Sequence, residues 1–309
     1  MVSAVFHSPS EVDDAVPATA PSPAQIAPAP VQIAPAPVQK AAPASASTPA
    51  KPPMDWLGWI LRMASPLAGI ALLIGVWALL TQNSSTFPTP LATWQAAVEL
   101  FADPFYSNGP NDQGIGWNIL FSLQRVGIGF GLAALVGIPL GFLIGRSQIA
   151  SSMLNPIISL LRPVSPLAWL PIGLLVFKSA DPAAIWTIFI CSIWPMIINT
   201  AVGVQRVPED YLNVAKVLNL SEWKITTKIL LPSVLPYMLT GVRLSVGTAW
   251  LVIVAAEMLT GGVGIGFWVW DEWNNLNVQH ILIAIFVIGI VGLLLEQGLV
   301  AIAKRFSFE

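Results

Sequence analysis

The sequence predicts an all-α integral membrane protein with six transmembrane helices and a separate N-terminal tail. Three observations predict it. Charged residues make up 10% of the 309 residues and hydrophobic ones 55%, with a mean hydropathy of +0.72; soluble domains carry roughly 25% charged residues. Apolar runs of about 20 residues, enough to cross a ~30 Å hydrocarbon core, recur along the chain. The basic residues outside those runs fall on one side of a six-span path.

The elements follow in order. Residues 1–53 hold 12 of the 27 prolines and the tandem heptad Ile26-Ala-Pro-Ala-Pro-Val-Gln32 and Ile33-Ala-Pro-Ala-Pro-Val-Gln39. Such a stretch lacks the apolar bulk to offset its ordering entropy, so a disordered, polyproline-II-leaning cytoplasmic tether is expected. It has neither the basic start nor the apolar core of a signal peptide. Residues 54–309 form the transmembrane domain, with spans expected at about 64–82, 118–145, 155–178, 182–205, 233–259 and 280–302. Between the first two, Phe87-Pro-Thr-Pro90 opens a segment with Leu91, Trp94, Val98 and Phe101 at helical spacing. This segment reads as an amphipathic helix lying along the outer interface.

Lys40, Lys51, Arg62, Arg146, Arg206, Lys216, Lys224, Lys228, Lys304 and Arg305 all lie on one side of this path. The other side has Lys178 alone, among Glu99, Asp103, Asp112, Asp181, Asp271 and Glu272. By the positive-inside rule both termini are cytoplasmic. Trp56, Trp59, Trp117, Trp268, Trp270 and Trp273 sit near span ends, as interfacial belts require.

The 206–232 loop between the fourth and fifth spans is charged and reads as two capped helices. Pro208 suits a first helical position, and Glu209 and Asp210 favour the positive end of the dipole. Asn219 is placed to stop the first helix in left-handed conformation. Ser221 can cap a second helix running to Pro232. A DNA-binding helix-turn-helix does not fit, because the loop is embedded between spans and its basic residues are balanced by acids; no nucleic-acid partner is expected.

The loop resembles the EAA loop of type I ABC importer permeases, E-A-A-x3-G-x9-I-x-L-P. Ala215 stands at the last small position, Asn219 at the glycine, and Ile229, Leu231 and Pro232 at the close; Asn213 replaces the glutamate. Ser122-Leu-Gln-Arg-Val126, Arg162-Pro-Val-Ser-Pro-Leu-Ala-Trp169, Val254-Ala-Ala-Glu-Met258 and the run Thr260 to Asn274 are similar to the nitrate/sulfonate/bicarbonate branch, its nitrate and bicarbonate subgroup above all. The resemblance covers about 57–309. It implies the MetI-like permease fold in a multi-pass protein of the bacterial inner membrane. It further implies a homodimeric pore, ABC ATPase subunits that bind ATP and magnesium, and an extracytoplasmic solute-binding protein. Alternating-access import of nitrate (or nitrite or cyanate) is the function expected, with bicarbonate or sulfonate/taurine as alternatives. Asn213, Ala215, Asn219, Leu220 and Pro232 are expected to couple the chain to its ATPase.

The chain has no G-x-x-x-x-G-K-[ST] phosphate cradle, so it carries no cofactor and hydrolyses no ATP itself. One cysteine and two histidines make a metal centre unexpected. An intramembrane enzyme would need paired catalytic groups, yet the span-embedded acids Glu257 and Glu296 lie near opposite faces. No catalytic residue is assigned.

Two features bear on the solute. The third span holds Pro156, Pro163, Pro166 and Pro171, with Arg162 and Ser165 among them. Prolines free backbone carbonyls that lipid cannot satisfy, so such backbone faces protein or a wet cavity. Arg162, Ser165, Trp169, Asn199, Thr200, Arg243 and Thr248 are candidate pathway residues, supplying the N–H and O–H donors an anion needs. Matching depths also predict two structural ion pairs, Arg125–Glu257 and Arg243–Glu296. In that case Arg243 is a lock rather than a solute contact.

Overall fold

The computed structural model describes residues 56–306 apart from Ser85, and side chains over 64–303. The expectation for 1–53 lies outside the described residues. The described chain is helical: α1 (Trp56–Thr81), α2 (Pro90–Leu100), α3 (Ile115–Arg146), α4 (Gln148–Leu161), α5 (Pro166–Phe177), α6 (Ala180–Gln205), α7 (Glu209–Val217), α8 (Glu222–Ile225), α9 (Leu231–Thr260), α10 (Ile265–Asn274) and α11 (Val278–Phe306).

The centre is α6, which packs against α3 on one side and α9 on the other. Small residues let the backbones approach: on the α3 face, a Cβ added to Gly141 would sit 2.8 Å from the Ile197 carbonyl oxygen. Membrane helices gain little from excluding lipid, so close packing and interhelical hydrogen bonds hold them together. Ser192 on α6 and Ser245 on α9 supply such bonds. Both are fully buried, and the Ser245 hydroxyl donates to the Ser192 carbonyl at 2.6 Å.

α1 stands at the periphery, with Leu72 and Leu80 exposed and the Trp77 ring 6.2 Å from Phe286 of α11. α2 is capped by Thr89, whose hydroxyl accepts from the Ala92 amide. Its apolar stripe of Leu91, Trp94, Val98 and Phe101 points away from the bundle, as an interfacial helix requires.

The third span expected at 155–178 is two helices, α4 and α5, bent by 100°. The break falls between Pro163 and Pro166. A residue before proline is pushed out of the helical region, and Ser165 is extended (φ −54°, ψ 133°), with Pro166 opening α5. Pro156 and Pro171 lie inside α4 and α5 without ending them.

The second helix of the 206–232 loop does not stop at Pro232 but continues into α9. α8 passes through a π-helical turn at Thr226–Leu230 and then into α9, so 222–260 is one path. Proline lacks an N–H and its ring clashes with the carbonyl four residues back. The wider turn, in which the Leu231 amide donates to the Thr226 carbonyl, accommodates Pro232 without breaking the helix. π-turns of this kind often mark functional positions.

Candidate functional site

At the basic end of the bundle, α7 projects between α6 and α8. Its stop is a Schellman motif: Asn219 is left-handed (φ 49°), and the Leu220 and Asn219 amides donate to the Ala215 and Lys216 carbonyls, each at 3.0 Å. Pro208 is the N-cap, one position earlier than expected, and the Ser221 hydroxyl makes no capping bond. Ala215 is 1% exposed, packed in a cluster with Val204, Val207, Ile225, Leu230 and Val234. The helix therefore rides on its small residue. Asn213 and Asn219 are exposed. Arg146 at the end of α3 pairs with Glu222, and its other guanidinium nitrogen lies 3.4 Å from the Thr226 hydroxyl, tying α3 to the start of α8.

The sequence reading missed what α7 shows to solvent. Tyr211, Val214, Val217 and Leu218 form an outward apolar stripe, and Trp223 is exposed beside it. Apolar patches on polar protrusions mark protein contacts. The signal was available: these residues repeat at helical spacing one step out of phase with Leu212 and Ala215.

At the opposite, acidic end a buried polar network joins α3, α6, α9 and the loop into α10. Glu257 is 1% exposed. Its carboxylate accepts from Arg125 Nη1 at 2.6 Å, Ser122 Oγ at 2.7 Å and the Gly266 amide at 3.0 Å. Ser122 Oγ accepts from the Ile265 amide at 2.9 Å, and Asn118 Oδ1 from the Gly264 amide at 2.8 Å. Three of the four amides without an intrahelical partner at the start of α10, those of Gly264, Ile265 and Gly266, are thus held by side chains. Arg125 also donates to the Val263 carbonyl and pairs with Asp181 at 2.7 Å. Asp181, Asn118 and Ser122 were not foreseen in this role. Gly266 is required there, because a Cβ would collide with the Val254 carbonyl. Nearby, Tyr106 has its hydroxyl pushed above the usual phenol range, by burial first and by the Asp112 carboxylate second.

The candidate pathway residues separate. Arg243 donates to Glu296 at 2.6 Å, and its charge is matched. Thr200 is fully buried at Gly141 and opens onto no surface. The Asn199 amide is spent on the Pro195 carbonyl and the Thr248 hydroxyl on the Leu244 carbonyl. Trp169 is half-buried against the core. Arg162 and Ser165 are exposed at the α4–α5 bend, and the Ser165 hydroxyl makes no capping bond.

The depth of that bend follows from the packing. α5 is about 18 Å long and α6 about 39 Å at 1.5 Å per residue. Gly173 of α5 lies against Ala183 and Trp186 in the first half of α6. Ile158 of α4 joins a cluster that runs from Ala133 to Ile144 on α3 and from Ile193 to Ala201 on α6, in their second halves. The bend therefore falls between the two ends of the bundle.

Residues 137–307 match the family described as the binding-protein-dependent transport system inner membrane component. A nitrate import permease protein, NrtB, of Leptolyngbya laminosa is 48% identical over 250 residues, covering 81% of this chain and 90% of that protein. The chain belongs to the nitrate/bicarbonate ABC permeases. A bicarbonate transport system permease protein, CmpB, of Synechocystis sp. is 45% identical over 246 residues, covering 78% of the permease and 88% of the relative. In fold, the permease is similar to a chain of the MetNI methionine ABC transporter in an inward-facing conformation. That match has a TM-score of 0.54 at 14% identity, over 62% of the permease and 95% of that chain. The permease is accordingly a multi-pass inner-membrane protein with the MetI-like importer fold, with α4 and α5 as a bent pair.

Proposed function

We propose that this chain is the membrane-spanning subunit of an ATP-driven importer of a small inorganic anion, nitrate, working by alternating access. The basic end faces the cytoplasm, where α7 docks on an ATPase subunit; a second copy completes the pore; a solute-binding protein delivers the anion outside. The observation that carries the reading is the exposed apolar stripe Tyr211, Val214, Val217 and Leu218 on a helix seated by buried Ala215. Such a stripe on a cytoplasmic protrusion needs a partner. The chain has no phosphate cradle of its own, so the partner supplies ATP hydrolysis. Movement of α7 reaches α9 through the continuous 222–260 helix and α3 through Arg146.

Nitrate is favoured by the 48% identity to the nitrate relative. Bicarbonate is the second reading, supported by the 45% identity to the bicarbonate relative. The test is uptake of labelled nitrate and bicarbonate by vesicles carrying the assembled complex with its binding protein. ATP-dependent nitrate uptake exceeding bicarbonate uptake is expected. Bicarbonate uptake alone reverses the substrate, and uptake of neither overturns the reading.

A further inference from the structure

We infer that Arg162, at the α4–α5 bend, is the anion contact of the translocation path, with Ser165 as a second donor, and that its ligand is a small planar oxyanion. This deepens the proposed function and rests on it.

Among the described side chains, each of the other arginines has a partner: Arg125 has Glu257 and Asp181, Arg146 has Glu222, Arg243 has Glu296, and Arg206 lies over the Tyr237 ring with 5.5 Å to its centroid. Arg162 has no carboxylate partner among the described residues. It is exposed on this chain at the break between α4 and α5, where an arginine unmatched by charge or water is costly. Lipid satisfies neither the guanidinium nor the backbone freed between Pro163 and Pro166. Water and a counter-anion, which the path of an anion importer supplies, satisfy both.

Chemistry narrows the anion. A guanidinium is a planar fork that binds two oxygens of one group side by side. Nitrate and bicarbonate are both planar, three-oxygen anions that present such an edge. The Ser165 hydroxyl, three residues on and free of any capping bond, is available to a third oxygen. No acceptor is needed for nitrate, which carries no proton.

In the assembled complex the binding protein captures the solute, so loss of an internal contact shows in turnover rather than in apparent affinity. The complex with Arg162→Gln is expected to keep its apparent KM. Uptake per ATP should fall roughly tenfold to a hundredfold, the range of one hydrogen-bonded charge, with Arg162→Lys intermediate. A general lesion would lower hydrolysis and uptake together. If Arg162→Gln keeps wild-type uptake per ATP while wild-type complex imports nitrate or bicarbonate, the Arg162 assignment falls and the proposed function stands. If wild-type complex imports neither, the proposed function falls first. A second measurement needs no transport: Val164→Cys, at an exposed position of the same bend that leaves Arg162 in place, in a Cys191→Ala background, probed with a water-soluble thiol reagent. Modification slowed by added nitrate supports the site; an unreactive thiol, or modification indifferent to nitrate and bicarbonate, overturns it.

Discussion

Glu257 shows how much one residue holds. Its carboxylate receives Arg125, Ser122 and the Gly266 amide in a place with almost no solvent. Removing one partner of a buried pair leaves the other uncompensated, at about 3–5 kcal/mol. Glu257→Ala is therefore expected to lower stability by roughly 3 kcal/mol, the low end because Asp181 still pairs with Arg125. Asp181→Asn should cost under about 1 kcal/mol, since the Asp181 side chain is 66% exposed and exposed pairs contribute little. Thermal unfolding of the purified protein in detergent checks both; an Asp181 effect equal to that of Glu257 would contradict the burial argument. The Arg125–Glu257 juxtaposition was legible because intramembrane charges must be matched and helix counting gives their depth. The amides of Gly264, Ile265 and Gly266 were not, because the loop's fold-back is a tertiary event that span counting does not describe.

Among the elements, α7 was readable from Pro208, Glu209 and Asn219, residues whose backbone and dipole preferences are local. The path from α8 into α9 was not. Pro232 reads as a helix end when only the α-helix is considered, and a π-turn is a register change with no composition of its own. The bend between α4 and α5 was foreshadowed by its prolines, although nothing local says that Pro163 and Pro166 break the helix while Pro156 and Pro171 do not. α7 itself offers a clean test. Ala215 lies at 1% exposure among Val204, Val207, Ile225, Leu230 and Val234. Ala215→Arg overfills that site, by about 1–3 kcal/mol for volume alone, and forces a charge among apolar groups. The change should dislodge α7 and abolish co-purification of the ATPase while leaving the spans inserted. Asn213→Glu, at an exposed position two residues away, should leave both intact. Retention of the ATPase by Ala215→Arg would remove α7 from the coupling role.

For the whole molecule, the charge asymmetry read along the sequence becomes a polarity of the bundle. Arg146, Arg206, Lys216, Lys224 and Lys228 gather at the end where α3 and α6 finish, and Asp112, Asp181, Asp271 and Glu272 at the end where α6 starts and α9 finishes. The fold joins each end independently, through Arg146 at one and Arg125 at the other, so the bundle is oriented as a unit rather than span by span. The positive-inside bias acts on the loops near each span, and a loop on the wrong side reverses the spans that flank it. Two positions therefore decide the topology: Asn213 on α7 and Asn111 in the connection between α2 and α3, both exposed. In a Cys191→Ala background, Asn111→Cys in intact cells should react with a membrane-impermeant maleimide, and Asn213→Cys only after permeabilisation. The reverse pattern would put α7 outside the cell, out of reach of ATP, and the coupling proposal would fail with the orientation.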